Sequence, residues 1–298
     1  MNILITGING FIGTHLAEEL LRRGHIVSGL GKNKKSALPA IKKYYSGSVL
    51  DKNIVEKAMK GMEVVIHLAA LTAHKEIIDN KFQALETNFL GTKNILDAFS
   101  ASKTAKRFFY SSTGKVYGKI EHLPITEEHP AHPLNILGKS KLITEKLIDF
   151  YSTDTKEFII FRIFNIYGPA QKENFLVPTI LKQLDEGKKE ITLGDMEAKR
   201  DYVYIDDLIN AFVLAIEAKG SVGISTYNIC TGQAVSAANI VDIISTIKKQ
   251  KIIVKKNPAL LRSDEMKDEY GSYKTIKKKI GWKPTYSIET GLKKLLNS

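Results

Sequence analysis

The sequence predicts an α/β protein with a parallel sheet and a smaller carboxyl-terminal lobe, on three observations. Short apolar runs alternate with helical patterns along the first half of the chain, the arrangement of strands joined by crossover helices. The opening run, Asn2 to Thr6, passes through glycines 7, 10 and 13 into a helical pattern. That pattern sets Phe11, Ile12, Leu16, Leu20 and Leu21 against Glu18, Glu19, Arg22 and Arg23. Gly168-Pro169 then breaks the alternation, and we place the start of the second lobe there.

The strand, glycine turn and helix at the start carry the most chemistry. Gly7, Gly10 and Gly13 permit a tight turn and close backbone approach, and the free N–H groups around Phe11 and Ile12 face an anion. The pattern reads as a pyrophosphate cradle, hence a dinucleotide site, although glycines also serve ordinary turns. The 298 residues accommodate such a domain and a second one. We assign 1–168, completed by about 203–230, to the dinucleotide domain, and 169–202 with 231–298 to the second lobe.

The formal charge is +12, but only six of the basic residues are arginines and the 38 lysines are spread along the chain. A nucleic-acid surface would be clustered and arginine-bearing, so the lysines read as solvated surface with a general preference for anions. Cys230 is the sole cysteine, which excludes an internal disulfide. No run approaches the ~20 apolar residues of a membrane span, and a core strand opens the chain. A cytoplasmic protein is expected.

The second strand, Ile26 to Leu30, ends at Gly31 with Lys32, Asn33, Lys34 and Lys35 after it. An acid at this point would hydrogen-bond the ribose of NAD and repel a 2′-phosphate. Glycine and lysines admit one, so NADP is favoured over NAD; a merely solvated loop would take either. Tyr44 to Ser46 is a third strand, Ile54 to Lys60 a helix, and Glu63 to Ala70 a fourth strand whose Leu68, Ala69 and Ala70 leave room for the cofactor. A helix is expected over about 74–102. Arg107 to Ser111 is the fifth strand, and Thr113 follows it where parallel sheets bind ligands. The exposed loop 119–136 holds a His-x-x-His spacing without a second ligand cluster, so no metal is expected. Leu137 to Tyr151 is helical and Phe158 to Phe164 is the sixth strand. After Gly168-Pro169 the chain is read as helix 175–186, strand 190–193, a helix ending at Ile216, strand 225–230 and helix 237–248.

Taken in order, Thr6-Gly7-x-x-Gly10-Phe11-Ile12-Gly13, His67-Leu68-Ala69-Ala70, Ser111-Ser112-Thr113, Val116-Tyr117-Gly118, Arg162-x-x-Asn165-x-Tyr167-Gly168-Pro169, Arg200 to Asp207 and Gly281-Trp282-x-Pro284 resemble the extended short-chain dehydrogenase/reductase family, in particular its nucleotide-sugar epimerases, dehydratases and reductases. The resemblance implies a doubly wound parallel Rossmann-type sheet holding NAD(P), with the carboxyl-terminal lobe over a nucleotide-diphosphate sugar. It implies that Asn165, Arg200 and Arg262 contact the diphosphate or nucleotide; an arginine fork suits phosphate. For Arg200 the competing reading is a salt bridge with Asp201 or Asp206. It also implies a homodimer built on helices at about 84–101 and 137–151.

In that family a hydroxyl residue, a tyrosine and a lysine four residues later act together. Thr113 and Lys141 fill the first and third places, and Lys141 also binds the nicotinamide ribose. The tyrosine position is Leu137, with matching residues on both sides. General acid–base catalysis contributes about 100- to 10,000-fold, so three readings stay open. The proton moves through Thr113, Tyr117 or a water held by Lys141; the protein binds without turnover; or Leu137 was introduced to disable it. Gly114-Lys115 stands where the family's dehydratases carry an acid pair and its 3,5-type epimerases a cysteine. Epimerisation at carbon four or reduction of a 4-keto sugar remains.

Overall fold

The computed structural model describes residues 1–72, 77, 79–260 and 267–297. Seven strands form the main sheet: β1 (Asn2–Thr6), β2 (Ile26–Gly31), β3 (Lys43–Ser46), β4 (Val64–His67), β5 (Arg107–Thr113), β6 (Glu157–Ile163) and β11 (Gly223–Ile229). Their order is β11-β6-β5-β4-β1-β2-β3, and β1 to β6 pair in parallel. The doubly wound expectation is met. β1 lies between β2 and β4, so the strand order reverses beside it, and the crevice at the carboxyl end of such a reversal is where open α/β sheets take ligands.

The central strands carry apolar runs because both faces of the sheet are covered. One face packs Leu4, Leu30, Val65, Phe108 and Phe158 against Val55, Ile95, Leu96, Phe99 and Ile148. Those residues come from α2 (Lys52–Met59), the helix Gly91–Ala101 and the helix Ile136–Tyr151. Asp51 starts α2 by accepting the N–H groups of Asn53 (2.9 Å) and Ile54 (3.2 Å), two of the four donors a helix start leaves unmet.

Three differences from the sequence reading bear on the site. β4 stops at His67, so Leu68 to Ala70 leave the sheet, and β5 runs on to Thr113 instead of ending at Ser111. The helix expected over 74–102 consists, where described, of Lys81–Leu85, a π turn Glu86–Leu90, and Gly91–Ala101. Periodicity alone does not show a π turn, because one extra residue per turn leaves the apolar pattern nearly intact.

The chain divides into two units: 1–118, 130–163 and 209–227 in one, 119–129, 164–208 and 228–298 in the other. The second is made of short paired strands, β7 (Asn165–Tyr167) with β10 (Tyr202–Tyr204), and β9 (Lys199–Arg200) between β12 (Val235–Ser236) and β14 (Asp268–Glu269). Two buried aspartates tie its loops. Asp201 accepts the Thr231 N–H (2.7 Å) and hydroxyl (2.6 Å) and the Gly232 N–H (2.9 Å). Asp207 accepts the Thr285 and Tyr286 N–H groups at 3.0 Å, while its carbonyl takes the Trp282 indole N–H at 2.9 Å.

Trp282 is fully buried. Replacing it with alanine removes that volume and the indole bond to Asp207, so a loss of about 3–5 kcal/mol is expected. Urea unfolding followed by circular dichroism checks this, and a loss below ~1 kcal/mol contradicts it.

Candidate active site

The glycine turn is shaped by backbone contact. Gly7 has φ +71°, in the left-handed region, and a Cβ there would lie 2.8 Å from the Ala69 nitrogen; a Cβ on Gly13 would lie 2.4 Å from the Gly7 carbonyl oxygen. Neither position admits a side chain without moving main chain. The Gly10 N–H closes the turn on the Gly7 carbonyl at 2.9 Å. Helix α1 (Phe11–Arg22) then starts at Gly10 with no capping side chain and no acid in its first turn. The result is a positive helix end bare of side chains, which fits a pyrophosphate. Phe11 and Ile12 are half-buried at this end, and Leu68, Ala69 and Ala70 are half-buried after β4. Lys32 and Asn33 are exposed beyond the tip of β2.

Beside the tip of β4 lies a buried polar chain that sequence reasoning missed. Thr6 Oγ1 and His67 Nδ1 are 2.6 Å apart, and His67 Nε2 and Thr92 Oγ1 2.9 Å. Thr92 donates to the Asn88 carbonyl (2.6 Å), so its oxygen accepts from His67 Nε2–H. Nδ1 then accepts from Thr6, whose oxygen in turn takes the Ala69 N–H at 3.2 Å. Burial, reinforced by the Lys141 charge, pushes His67 down to about 3 and keeps it neutral. Asn88 lies in the π turn and holds Leu71 by both backbone groups, at 2.8 Å and 3.1 Å. The apolar run and the π turn are thereby pinned where the cofactor pocket is expected. His67 belongs to the His67-Leu68-Ala69-Ala70 stretch already singled out, but its partners Thr92 and Asn88 do not stand out, because isolated polar residues inside a helical pattern carry no motif of their own.

Thr113 ends β5 half-buried, and its hydroxyl accepts the Lys115 N–H at 3.3 Å. Lys141 lies on the helix Ile136–Tyr151, which Asn135 caps by accepting the Gly138 N–H (2.9 Å). Leu137 is one turn before Lys141 on the same helix face and is half-buried. Lys141 is 3% exposed, and its ammonium donates to the Ser111 carbonyl at 2.6 Å over the Tyr110 ring. That is its single hydrogen bond among the described residues. Ser111 and Thr113 are two apart on one strand, so they share a face of the sheet. Burial pushes Lys141 down to about 7, against the opposing charge of Glu145.

Tyr117 stands differently from its expected part as a proton relay. It is fully buried beneath the Arg162 guanidinium, 4.9 Å from its ring, and its hydroxyl is bonded to that arginine. Glu145, also buried, meets Arg162 at 2.7 Å and receives the Ser112 hydroxyl.

In the second unit, Asn165 donates its side-chain N–H to the Asp201 carbonyl at 3.1 Å. Arg200 is 5% exposed, donates to the Lys199 carbonyl (2.7 Å) and lies 3.6 Å from Glu269. Of the two acids weighed from the sequence, Asp201 accepts the Thr231 and Gly232 N–H groups and Asp206 meets Lys294 at 2.6 Å. Arg262 lies outside the described residues. No metal-binding cluster occurs among the described residues, and none of their helices is long and apolar enough to cross a membrane.

Residues 4–295 match the family described as GDP-mannose 4,6 dehydratase. The chain belongs to this branch of the extended short-chain dehydrogenase/reductase family. It is 32% identical to a putative UDP-glucose 4-epimerase of Methanocaldococcus jannaschii, over 99% of this chain and 97% of that one. It is 29% identical to the GDP-6-deoxy-D-mannose reductase of Pseudomonas aeruginosa, over 99% and 96%. Among solved structures it is similar to a Bifidobacterium longum UDP-glucose 4-epimerase holding NAD+ and UDP (TM-score 0.89, 26% identity, 100% and 97% covered). It is also similar to a P. aeruginosa protein holding NADPH (TM-score 0.85, 26% identity, 99% and 97% covered).

The lowered Lys141 value makes a pH prediction. Between about pH 7 and the ordinary 10.5 the unfolded chain binds a proton the folded chain lacks, so stability rises with pH over that window. Lys141→Met lacks this contribution. Its Tm relative to the unsubstituted protein should be highest below pH 7 and decline toward pH 10; parallel Tm curves across the window refute it.

Proposed function

We propose that this protein is an NADP(H)-preferring nucleotide-sugar enzyme acting at carbon four, as a 4-epimerase or a 4-ketoreductase. The observation that carries the reading is the pairing of a side-chain-free glycine cradle at the strand-order reversal with a buried lysine one hydrogen bond from β5. Relatives of both kinds support it. Gly31 and the lysines after it favour the 2′-phosphate of NADP. The nicotinamide supplies or accepts the hydride when bound. Gly7, Gly10 and Gly13 with the Phe11 and Ile12 amides hold the pyrophosphate, and Leu68 to Ala70 border the ribose.

Thr113 positions the sugar hydroxyl, and Lys141 holds or takes its proton, directly or through a water, in place of the absent tyrosine. An amine poised near neutrality suits either direction of transfer. Asn165, Arg200 and Arg262 are assigned to the diphosphate. Dehydration is disfavoured because Gly114 and Lys115 carry no carboxylate. Leu137 supports a second reading, a protein that binds cofactor and sugar nucleotide without turnover. The exposed apolar side chains of Phe82 and Leu85 on one helical segment and Ile143 and Phe150 on another support a homodimer, and the lone buried Cys230 supports a reducing, cytoplasmic setting.

Calorimetry with NADPH, NADH and a panel of UDP- and GDP-sugars should give micromolar binding of one cofactor and one sugar class; no binding to any overturns both readings. Leu137→Tyr is expected to raise carbon-four turnover by roughly 100-fold or more if catalysis has been weakened. Little change, together with a loss of similar size in Lys141→Met, instead favours proton transfer by the lysine. Consumption of NADPH on a 4-keto sugar separates a reductase from an epimerase that interconverts sugars without net redox. For assembly, Phe82→Asp with Phe150→Asp should convert the dimer to monomer by light scattering, and an unchanged mass refutes that surface.

A further inference from the structure

Asn9 sits in the middle of the glycine turn, yet its side chain bonds to the loop after β2. Its amide donates to the Lys35 carbonyl (3.0 Å) and the Tyr44 hydroxyl (3.2 Å), and its oxygen accepts the Ala37 N–H (2.9 Å). The Tyr44 hydroxyl donates onward to the Asn33 carbonyl (2.8 Å), which also receives the Ser46 hydroxyl (2.9 Å). Three backbone groups of an otherwise exposed loop are thus met by side chains from the turn and from β3. The fixed loop carries Lys32, Lys34 and Lys35, all exposed, and none is ion-paired among the described residues.

Tyr44 also governs the tip of β2. A Cβ on Gly31 would lie 3.1 Å from the Tyr44 hydroxyl oxygen, and that oxygen is anchored on both sides by Asn9 and Asn33. The ring has little room to yield, so the tip stays free of the carboxylate that would repel a phosphate.

We propose that Asn9, acting with Tyr44, is the positioning residue that sets cofactor preference: it locks the lysine loop against the glycine turn as a preformed site for the 2′-phosphate of NADP(H). This rests on the NADP(H) reading above. Free lysine side chains on a mobile loop give weak, screened attraction; a fixed loop aims the same charges and removes the ordering cost at binding.

The test is fluorescence titration of the full-length protein with NADPH and with NADH, before and after Asn9→Ala and Tyr44→Phe. The unsubstituted protein should bind NADPH roughly ten-fold more tightly. Each substitution should weaken NADPH by a similar factor while NADH changes less than about two-fold, so the ratio collapses. A preference for NADPH that survives both substitutions, or an equal loss for both cofactors, overturns the assignment to Asn9 while leaving the NADP(H) reading intact. Unsubstituted protein that binds NADH as tightly as NADPH, or binds neither, overturns that reading and the inference with it. Should Asn9→Ala fail to fold, Tyr44→Phe, which keeps the ring and deletes only the hydroxyl, decides by the same ratio.

Discussion

Main chain lying directly on main chain at the end of β1 is the constraint from which the rest of the first unit follows. With a Cβ on Gly13 the Gly7 carbonyl would be 2.4 Å away, and with one on Gly7 the Ala69 nitrogen 2.8 Å away. Removing those two carbons lets α1 start immediately above the strand and lets the segment after β4 lie against the turn. The same absence leaves the helix's positive end bare. Close packing and anion binding are therefore one feature, and any residue other than glycine at these positions would disturb both.

Around that turn the molecule places polar groups inside its core and satisfies them. The order Ala69 N–H, Thr6, His67, Thr92, Asn88 runs in one direction, each oxygen or ring nitrogen accepting from one neighbour and donating to the next. Such a chain holds one His67 tautomer and fixes the loop after β4 through the two Asn88 bonds to Leu71. The satisfaction is not complete: Thr87 Oγ1 and the Tyr110 hydroxyl are buried without a hydrogen-bond partner among the described residues, and Lys141 has one. This lysine is buried, and its lowered proton affinity is the cost of desolvating a cation whose partner position holds a leucine.

The second unit solves a different problem. Its strands are two to four residues long and cannot build a deep core by themselves, so buried carboxylates act as knots. Asp201 gathers Thr231, Gly232 and Gly271; Asp207 gathers Thr285 and Tyr286, with Trp282 alongside. The charges of the stretch from Arg200 to Asp207 thus divide between architecture and the surface, Asp206 alone being exposed enough to pair with a lysine in solvent.

The sequence by itself determined the alternation of strands and helices, the glycine turn, the place of Thr113 near the carboxyl end of the fifth strand and the one-turn spacing of Leu137 and Lys141. These are local properties: periodicity, breakers and short spacings fix them before any long-range contact forms. Where the reading slipped, the deciding contact was distant. The His67 ring at the end of β4 bonds to Thr92, Asn88 in the π turn bonds to Leu71, and the Arg162 guanidinium lies over the buried Tyr117 ring. Only tertiary structure decided those partners, and with them which polar residues are bonded and which lysine is left nearly alone, because hydrogen-bond satisfaction and desolvation depend on what lies across space and leave no periodic trace along the chain.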